Sequence, residues 1–396
     1  MNENNRCFVN TSIEDRKCIN YVTAYLIVQA LNYYVKLILI DFNYWSYISK
    51  AILAFYLINA LTVILKKQCI KFIGTEVILL ICFLYTYIIG DINEDSFSSI
   101  VVNTIGVFIP LSFSVLSISE FRLFQERLYK SSWLISVILL AIAVQQKASI
   151  YNYNMPLSYA IVLQLLIVLD HYFYERKWYD LLTTGILFFA ILIVGSRGPI
   201  LCVLVYLMLK IVLSNSINMK RRTLFIIIAI VISGLLIINS EYILLNTIEM
   251  LNKYGISSRS LYYLYTHNNS DSGRGEIYKL FYSKIISGPL LGYGIAGGWV
   301  NSNYPHNIFI EIILSYGLIL GSFLAILYIF ITIKGVRLKD NLCQRLAMIF
   351  VSYSVSLLIS NSFILEPIFF ITIPLCLLDT RFSVQVNKGD NNDEKI

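Results

Sequence analysis

The residues best suited to chemistry are Arg197, Arg274 and His306, each set in a short polar break: Ser196-Arg197-Gly198-Pro199, Gly273-Arg274-Gly275-Glu276 and Tyr304-Pro305-His306-Asn307. A guanidinium is a permanently charged planar fork that can grip two phosphate oxygens at once. An imidazole titrates near neutral pH and can take a proton from a hydroxyl within hydrogen-bond reach. Two forks and one base on the same side of a bilayer suit a phosphorylated lipid, provided the surrounding elements bring them together.

Those elements are membrane helices. Of the 396 residues, 57% are hydrophobic and only 14% are charged. Apolar residues recur in runs of about 17 to 25 separated by short polar breaks, the length that crosses a bilayer core as an α-helix. The pattern predicts an all-α polytopic membrane protein with about twelve spans, near 21–40, 47–65, 72–90, 98–118, 132–146, 156–171, 180–195, 199–214, 223–240, 307–333, 346–364 and 367–380. The expected organisation is an amino-terminal segment 1–20, spans one to nine within 21–240, a large outer loop 241–305, spans ten to twelve within 306–382, and a polar tail 383–396.

Charge fixes the expected orientation, because short cytoplasmic loops retain Lys and Arg. With both termini cytoplasmic, the inner segments hold Arg6, Arg16, Lys17, Lys66, Lys67, Lys71, Arg122, Arg127, Lys130, Lys220, Arg221, Arg222, Lys334, Arg337 and Arg345 among others, most of the 31 basic residues. Arg197, Arg274 and His306 then all fall outside. The net charge of +7 is accounted for by topology, so it lends no support to a nucleic-acid partner. The first apolar run is long enough to remain as an anchor, and no cleavable leader is expected. The seven cysteines fall in inner segments or in spans, with no spacing that suggests zinc or a disulfide framework.

The outer segment 241–305 is unlike the other connections, and long loops in compact architectures usually carry function. From Gly275 to Ser287 its pattern is helical. At 100° per residue Arg274 projects with Ile277, Tyr278, Phe281 and Ile285, while Glu276, Lys279 and Ser283 point the other way. Gly288-Pro289 stops this helix, and Gly292, Gly294, Gly297 and Gly298 form a turn before Pro305-His306 opens the tenth span.

In order, spacing and sidedness, Gly195-Ser196-Arg197-Gly198-Pro199, Gly273-Arg274-Gly275-Glu276, Gly288-Pro289-Leu290-Leu291-Gly292-Tyr293-Gly294 and Pro305-His306-Asn307 with Glu311 and Gly317 resemble the bacterial O-antigen polymerase and O-antigen ligase superfamily. The resemblance covers about residues 190–320, and the span layout extends it to the whole chain. It implies a fold similar to the GT-C type membrane glycosyltransferases, an active site on the periplasmic side of the inner membrane, and a polyprenyl-pyrophosphate-linked oligosaccharide as donor and as acceptor, without a required metal or cofactor. Arg197 and Arg274 are implied to bind the pyrophosphate, whose charge grows as the glycosidic bond breaks. His306 is implied to be the catalytic base for an inverting transfer. Its place at a helix start should disfavour the protonated imidazole, and free N–H groups there can meet phosphate. A chain-length regulator is a further partner that the resemblance suggests, beside the membrane lipids.

Each residue also has a plain structural role open to it. Arg197 can cap an outer turn, Arg274 can reach to lipid headgroups, and His306 can cap a helix. Glu311, four residues after Asn307, is expected either to orient the arginines through an ion pair or to serve structure alone. Glu276 is expected chiefly to cap its own helix. Asp91 and Asp95 in an acidic outer turn are possible divalent-cation ligands, with a solvated turn as the simpler reading.

Within the resemblance, Ser-Arg-Gly-Pro and Pro-His-Asn with Ile-Phe-Ile-Glu favour a polymerase over a ligase that moves finished glycan to lipid A-core. A lipid-linked oligosaccharide flippase is the reading from another class. It would place polar residues at the midplane of two repeated halves, a pattern the sequence does not display.

Overall fold

The computed structural model describes residues 3–38, 42–90, 94–145, 155–194, 198–213, 240–253, 274–300 and 303–378, with residues 223 and 265 singly. Among them the regular elements are helices. They are α1 (Glu3–Ile38), α2 (Phe42–Ile89), α3 (Glu94–Asn103), α4 (Ile109–Ser117), α5 (Phe121–Gln145), α6 (Met155–Glu175), α7 (Trp178–Val194), α8 (Gly198–Leu213), α9 (Ser240–Lys253), α10 (Arg274–Ser287), α11 (Ile308–Tyr316), α12 (Leu318–Val336), α13 (Asn341–Ser354), the single turn α14 (Ser356–Ile359) and α15 (Pro367–Leu377). Five described helical stretches are long and apolar enough to cross a membrane: Tyr44–Ile89, Phe97–Ser117, Met155–Glu175, Leu318–Val336 and Asn341–Ile359. Large apolar side chains such as Phe55, Ile58, Ile81, Ile88, Leu182, Phe323 and Phe330 face outward. Such a belt is far more apolar than a water-facing surface tolerates, and it fits a membrane-embedded protein.

The expected inner loop at residues 66–71 is not a loop. Lys66-Lys67-Gln68-Cys69-Ile70-Lys71 contains neither Gly nor Pro, and helix continues on both sides of one non-helical residue, Gln68 (φ −136°, ψ 20°). The contacts show that the chain reverses there. Trp45 Nε1 donates to Asn32 Oδ1 at 2.6 Å and Lys67 Nζ meets Asp15 Oδ1 at 3.1 Å, so the first half of α2 runs antiparallel to α1. The second half runs antiparallel to the 97–117 segment, with rings of Phe72 and Phe113 5.3 Å apart and those of Phe83 and Phe97 5.8 Å apart. Tyr21 Oη donates to the Val107 carbonyl at 3.2 Å, which brings that segment alongside α1. A straight α2 would hold Tyr21 and Val107 more than about 20 Å apart at 1.5 Å rise per residue, so α2 doubles back at Gln68 with no loop between its two halves. Asp15, fully buried, locks this end by accepting from Lys67 and from the backbone N–H groups of Ser119 and Glu120 at the start of α5.

Between α3 and α4 the helix widens into a π-turn over Thr104–Phe108. Pro110 follows directly in the first turn of α4. A proline lacks the N–H for the usual bond and its ring clashes with the carbonyl four residues back, and the wider turn absorbs both defects.

The expected tenth span, 307–333, is broken. Helix α11 has nine residues, about 14 Å, too short to cross. Gly317 ends it with φ 76°, a left-handed backbone that glycine adopts without a Cβ penalty. Helix α12 then folds back on α11, because a Cβ at Gly321 would lie 2.6 Å from Ile313 Cα. Further along, the rings of Phe309 and Tyr328 are 6.4 Å apart. The amino-terminal end of α11 therefore lies beside the middle of α12, and of the two only α12 is long and apolar enough to cross a membrane. The expected eleventh span, 346–364, ends early, and the twelfth begins at residue 367 as expected. Helix ends at Ile359, residues 360–366 are irregular, and α15 begins at Pro367 with Phe369 already beside Tyr328, ring centroids 5.7 Å apart. Two non-helical segments, 303–307 and 360–366, thus meet inside the bundle. In a membrane protein such backbone is tolerated only where protein encloses it or it lines a wet cavity.

At the end that the charge pattern assigns to the cytoplasm, ionic groups close on one another. Asp170 of α6, 1% exposed, receives Lys210 Nζ of α8 at 2.8 Å, Arg345 Nη2 of α13 at 2.7 Å and Tyr206 Oη at 2.7 Å. Nearby, Asp180 of α7 accepts from Tyr129 Oη at 2.6 Å and lies 2.7 Å from His171 Nδ1, with the His171 and Tyr129 rings stacked.

Candidate functional site

His306 occupies the residue before the N-cap of α11, with φ 54°. This left-handed conformation is uncommon outside glycine, and histidine is among the residues that adopt it most readily. Its Nδ1 lies 2.7 Å from the Ser360 carbonyl oxygen. A carbonyl only accepts, so Nδ1 carries the hydrogen, and the neutral ring has its lone pair on Nε2. The ring is held like a catalytic base oriented by a third group, here a main-chain oxygen.

The same carbonyl accepts from Tyr304 Oη at 3.2 Å, and the Tyr304 and His306 rings lie 4.3 Å apart. Burial, reinforced by the nearby Glu366 and Glu311, pushes the Tyr304 phenol up to about 12, so it remains a donor at neutral pH. Asn307 caps α11, its Oδ1 accepting from the N–H groups of Phe309 and Ile310 while its Nδ2 donates to the Leu358 carbonyl at 3.2 Å. The base and the cap beside it are both pinned to the 358–360 stretch.

Arg197, Ser196 and Gly195 lie outside the described residues, but their neighbour Gly198 does not. A Cβ at Gly198 would stand 2.0 Å from Tyr159 Oη and 3.0 Å from Ile359 Cδ1. Tyr159 in turn donates from that hydroxyl to Ser360 Oγ at 2.9 Å. The start of α8, immediately after Arg197, is therefore packed against Tyr159 and Ile359, the partner and the chain neighbour of the residue that holds His306. Gly198 and His306 are thus linked through Tyr159 and Ser360, and only a glycine permits an approach this close.

Arg274 begins α10, which packs on α11. The expected faces are observed: Arg274, Ile277, Tyr278 and Ile285 are half-buried and Phe281 is fully buried, whereas Glu276, Lys279 and Ser283 are exposed. Among the described residues Arg274 has no ion-pair partner, and no contact joins it to the His306 group. Glu276 faces away from that group. Glu311 was expected either to orient the arginines or to serve structure alone; among the described residues its buried carboxylate accepts from Ser362 Oγ at 2.5 Å and from the Phe363 N–H at 3.3 Å, while Arg197 lies outside those residues. The Glu311 carboxylate ties α11 to the 360–366 turn with neutral donors.

The glycine turn has a positioning task. The N–H groups of Tyr293 and Gly294 donate to the carbonyls of Leu314 and Ser315, closing the end of α11. Gly294 and Gly297 also pack against Thr86 near the end of α2, and Tyr85 Oη donates to the Gly292 carbonyl at 2.9 Å. The loop clamps α11 at the end opposite His306.

Sequence reading missed Tyr159, Ser360, Ser362 and Glu366. The triplet Ser360-Asn361-Ser362 within an expected apolar span is the signal that could have found three of these contacts. A cavity of about 250 Å³ adjoins the site, walled by Tyr159, Gln164, Gln29, Tyr353 and Glu366 among others. Among the described residues no cluster of His, Cys, Asp or Glu could hold a metal ion. Asp91 lies outside those residues, and Asp95 falls in the first turn of α3.

The fold and the site together define a membrane-embedded helical protein with a histidine and a glycine-arginine break joined through an irregular interior turn. A family model described as O-antigen ligase matches residues 182–325, a stretch that includes Arg197, Arg274, His306 and Glu311. The match supports the O-antigen ligase and polymerase superfamily, whose members are glycosyltransferase-like enzymes of polysaccharide assembly. Neither the curated proteins nor the solved structures give a match.

Proposed function

We propose that the protein is an O-antigen polymerase, joining polyprenyl-pyrophosphate-linked oligosaccharide repeat units at the periplasmic face of the inner membrane by direct, metal-independent, inverting transfer. The observation that carries this reading is the fixed His306 ring, its Nε2 left as acceptor by the Nδ1 bond to Ser360, packed through Ser360 and Tyr159 against the residue that follows Arg197.

In this reaction a hydroxyl oxygen of the acceptor sugar attacks the anomeric carbon of the donor. His306 Nε2 takes the hydroxyl proton, the anomeric C–O bond breaks, and its electron pair leaves with the pyrophosphate. Arg197 and Arg274 bind that pyrophosphate, and the starts of α8 and α11 add the positive ends of two helix dipoles. Both arginine forks strengthen their hold as charge accumulates on the leaving group, which lowers the barrier instead of merely tightening ground-state binding. The lone base fits a single displacement, since no second carboxylate is needed to form a covalent intermediate.

The test uses the purified full chain and its His306→Ala variant in nanodiscs with a lipid-pyrophosphate-linked repeat unit, the products resolved by size. A ladder of longer lipid-linked glycans made by wild type alone supports a polymerase that uses His306. The matched family is described as a ligase, which keeps that reading in view; product formed only after lipid A-core is added would establish it. A ladder undiminished in the variant would remove His306 as the base.

A further inference from the structure

The cavity beside the site is lined in a way that the pyrophosphate reading does not use. It lies between α1, α5, α6, α13 and the 360–366 turn, and its volume equals that of about eight water molecules, the size of one monosaccharide. Among the described residues its lining contains no Lys, Arg or His, and it contains Glu366. The described wall is thus neutral or acidic, which suits a hydroxyl-rich ring better than a second phosphate.

One buried acceptor in its wall lacks a donor among the described residues. Gln164 is 4% exposed, and its Oε1 has no hydrogen-bond partner among the described residues. Gln29 donates to Tyr25 Oη at 2.6 Å, with no partner described for its own oxygen. The Glu366 carboxylate has no ion pair among the described residues. A buried, unmatched polar atom costs about 1–3 kcal/mol, and polar groups inside a membrane bundle are expensive unless something meets them. Gln164 Oε1 carries that cost, and the partly exposed Gln29 and Glu366 add further acceptor oxygens beside it, so the cavity suits a ligand rich in O–H or N–H. The rings of Tyr159 and Tyr353 add flat apolar walls suited to the C–H face of a pyranose.

The wall also communicates with the base. Tyr159 lines the cavity and donates to Ser360 Oγ, while the carbonyl of the same residue holds His306. A sugar seated against Tyr159 therefore lies one residue's width from the base that would deprotonate it.

We infer that this cavity is the seat of a neutral sugar ring at the non-reducing end of the acceptor glycan, read by Gln164, Glu366 and Gln29 through hydrogen bonds that its hydroxyl or amide groups donate. The inference rests on the glycosyl-transfer reading and deepens it, because it separates the surface that chooses the acceptor from the arginines assigned to the donor's pyrophosphate.

The probe is the repeat-unit oligosaccharide, freed of lipid and pyrophosphate by mild acid, added to the full chain in nanodiscs. Saturation-transfer NMR reports which ring touches protein, and turnover on the intact lipid-linked unit is measured in parallel. The expected result is saturation concentrated on the non-reducing terminal ring. Glu366→Gln and Gln164→Leu should weaken this binding by about tenfold or more, the value of a hydrogen bond to a charged or buried group, with unfolding temperatures near wild type. Glu366→Gln keeps the shape, so it remains informative if Gln164→Leu fails to fold. Saturation spread evenly over the rings, its absence from every ring, or binding unchanged in both folded variants overturns the inference. Binding as expected without any transfer product would instead remove the glycosyl-transfer reading and leave a sugar-binding cavity.

Discussion

Asp170 and Glu311 are both carboxylates with almost no exposure, yet they are satisfied in opposite ways. At the end that the charge pattern marks as inner, Asp170 is enclosed by Lys210, Arg345 and Tyr206, donors from α8 and α13 that consume its oxygens. Glu311 instead meets a hydroxyl and a backbone N–H of the 360–366 turn, and that turn also holds His306, whose Nε2 is left as acceptor, and borders the cavity where Gln164 Oε1 is unmatched among the described residues. A closed network fixes helices against one another and has nothing left to offer a ligand. An open one, built where two irregular segments meet, keeps its acceptors for something that arrives. The contrast separates charges that build the bundle from polar groups that work in it.

The contrast breaks most sharply if His306 proves structural. His306→Ala should lower turnover by about 10²–10⁴-fold, the usual contribution of a general base, while the unfolding temperature in detergent stays near wild type. A fall in stability as large as the fall in rate would place His306 with the closed network instead. Asp170→Ala is the reciprocal probe. It strands Lys210 and Arg345 without a counter-charge and should cost about 3–5 kcal/mol of stability, seen in thermal or denaturant unfolding. Folded Asp170→Ala protein should retain its catalytic rate.

Gly198→Ala probes the joint between the regions linked through Tyr159 and Ser360. The new methyl collides with Tyr159 Oη and Ile359 Cδ1. Overpacking of this kind typically costs about 1–3 kcal/mol, and here it should also loosen the Tyr159 to Ser360 bond and reduce turnover. Unchanged kinetics in the folded variant would show that the base does not depend on this approach. Tyr304→Phe should have the smallest effect, about 0.5–1.5 kcal/mol for one hydrogen bond, because Ser360 still holds His306 without it. A loss in rate matching that of His306→Ala would instead make Tyr304 a participant.

Much of the bundle was legible because apolar run length is a direct consequence of bilayer thickness. The breaks were less so. Gln68 reverses the chain without any residue that marks a turn, and the three lysines beside it read as a loop. Gly317 was visible, but the apolar residues on both sides of it hid the fold-back of α12 on α11. Helix α9 lies where an outer loop was expected, although Lys253 at its end matches the helix dipole. At the site, His306, Asn307 and the apolar face carrying Arg274 could be read from local pattern. Tyr159 and Ser360 could not, since they are joined across 201 residues of chain and no spacing rule links them. Glu311 was noticed for its charge, and its neutral partners in the 360–366 turn became visible only when that turn folded inward.

The oxygen that aims His306 belongs to the backbone of residue 360. Every amino acid carries that oxygen, so no exchange of the side chain at this position deletes it; Ser360→Ala would remove only the hydroxyl that Tyr159 reaches. The aim of the base is thus insulated from point mutation at its own anchor. Drift can disturb it only by moving the main chain, which makes Gly198, Asn307 and Glu311, the residues that hold the two segments in register, its points of vulnerability.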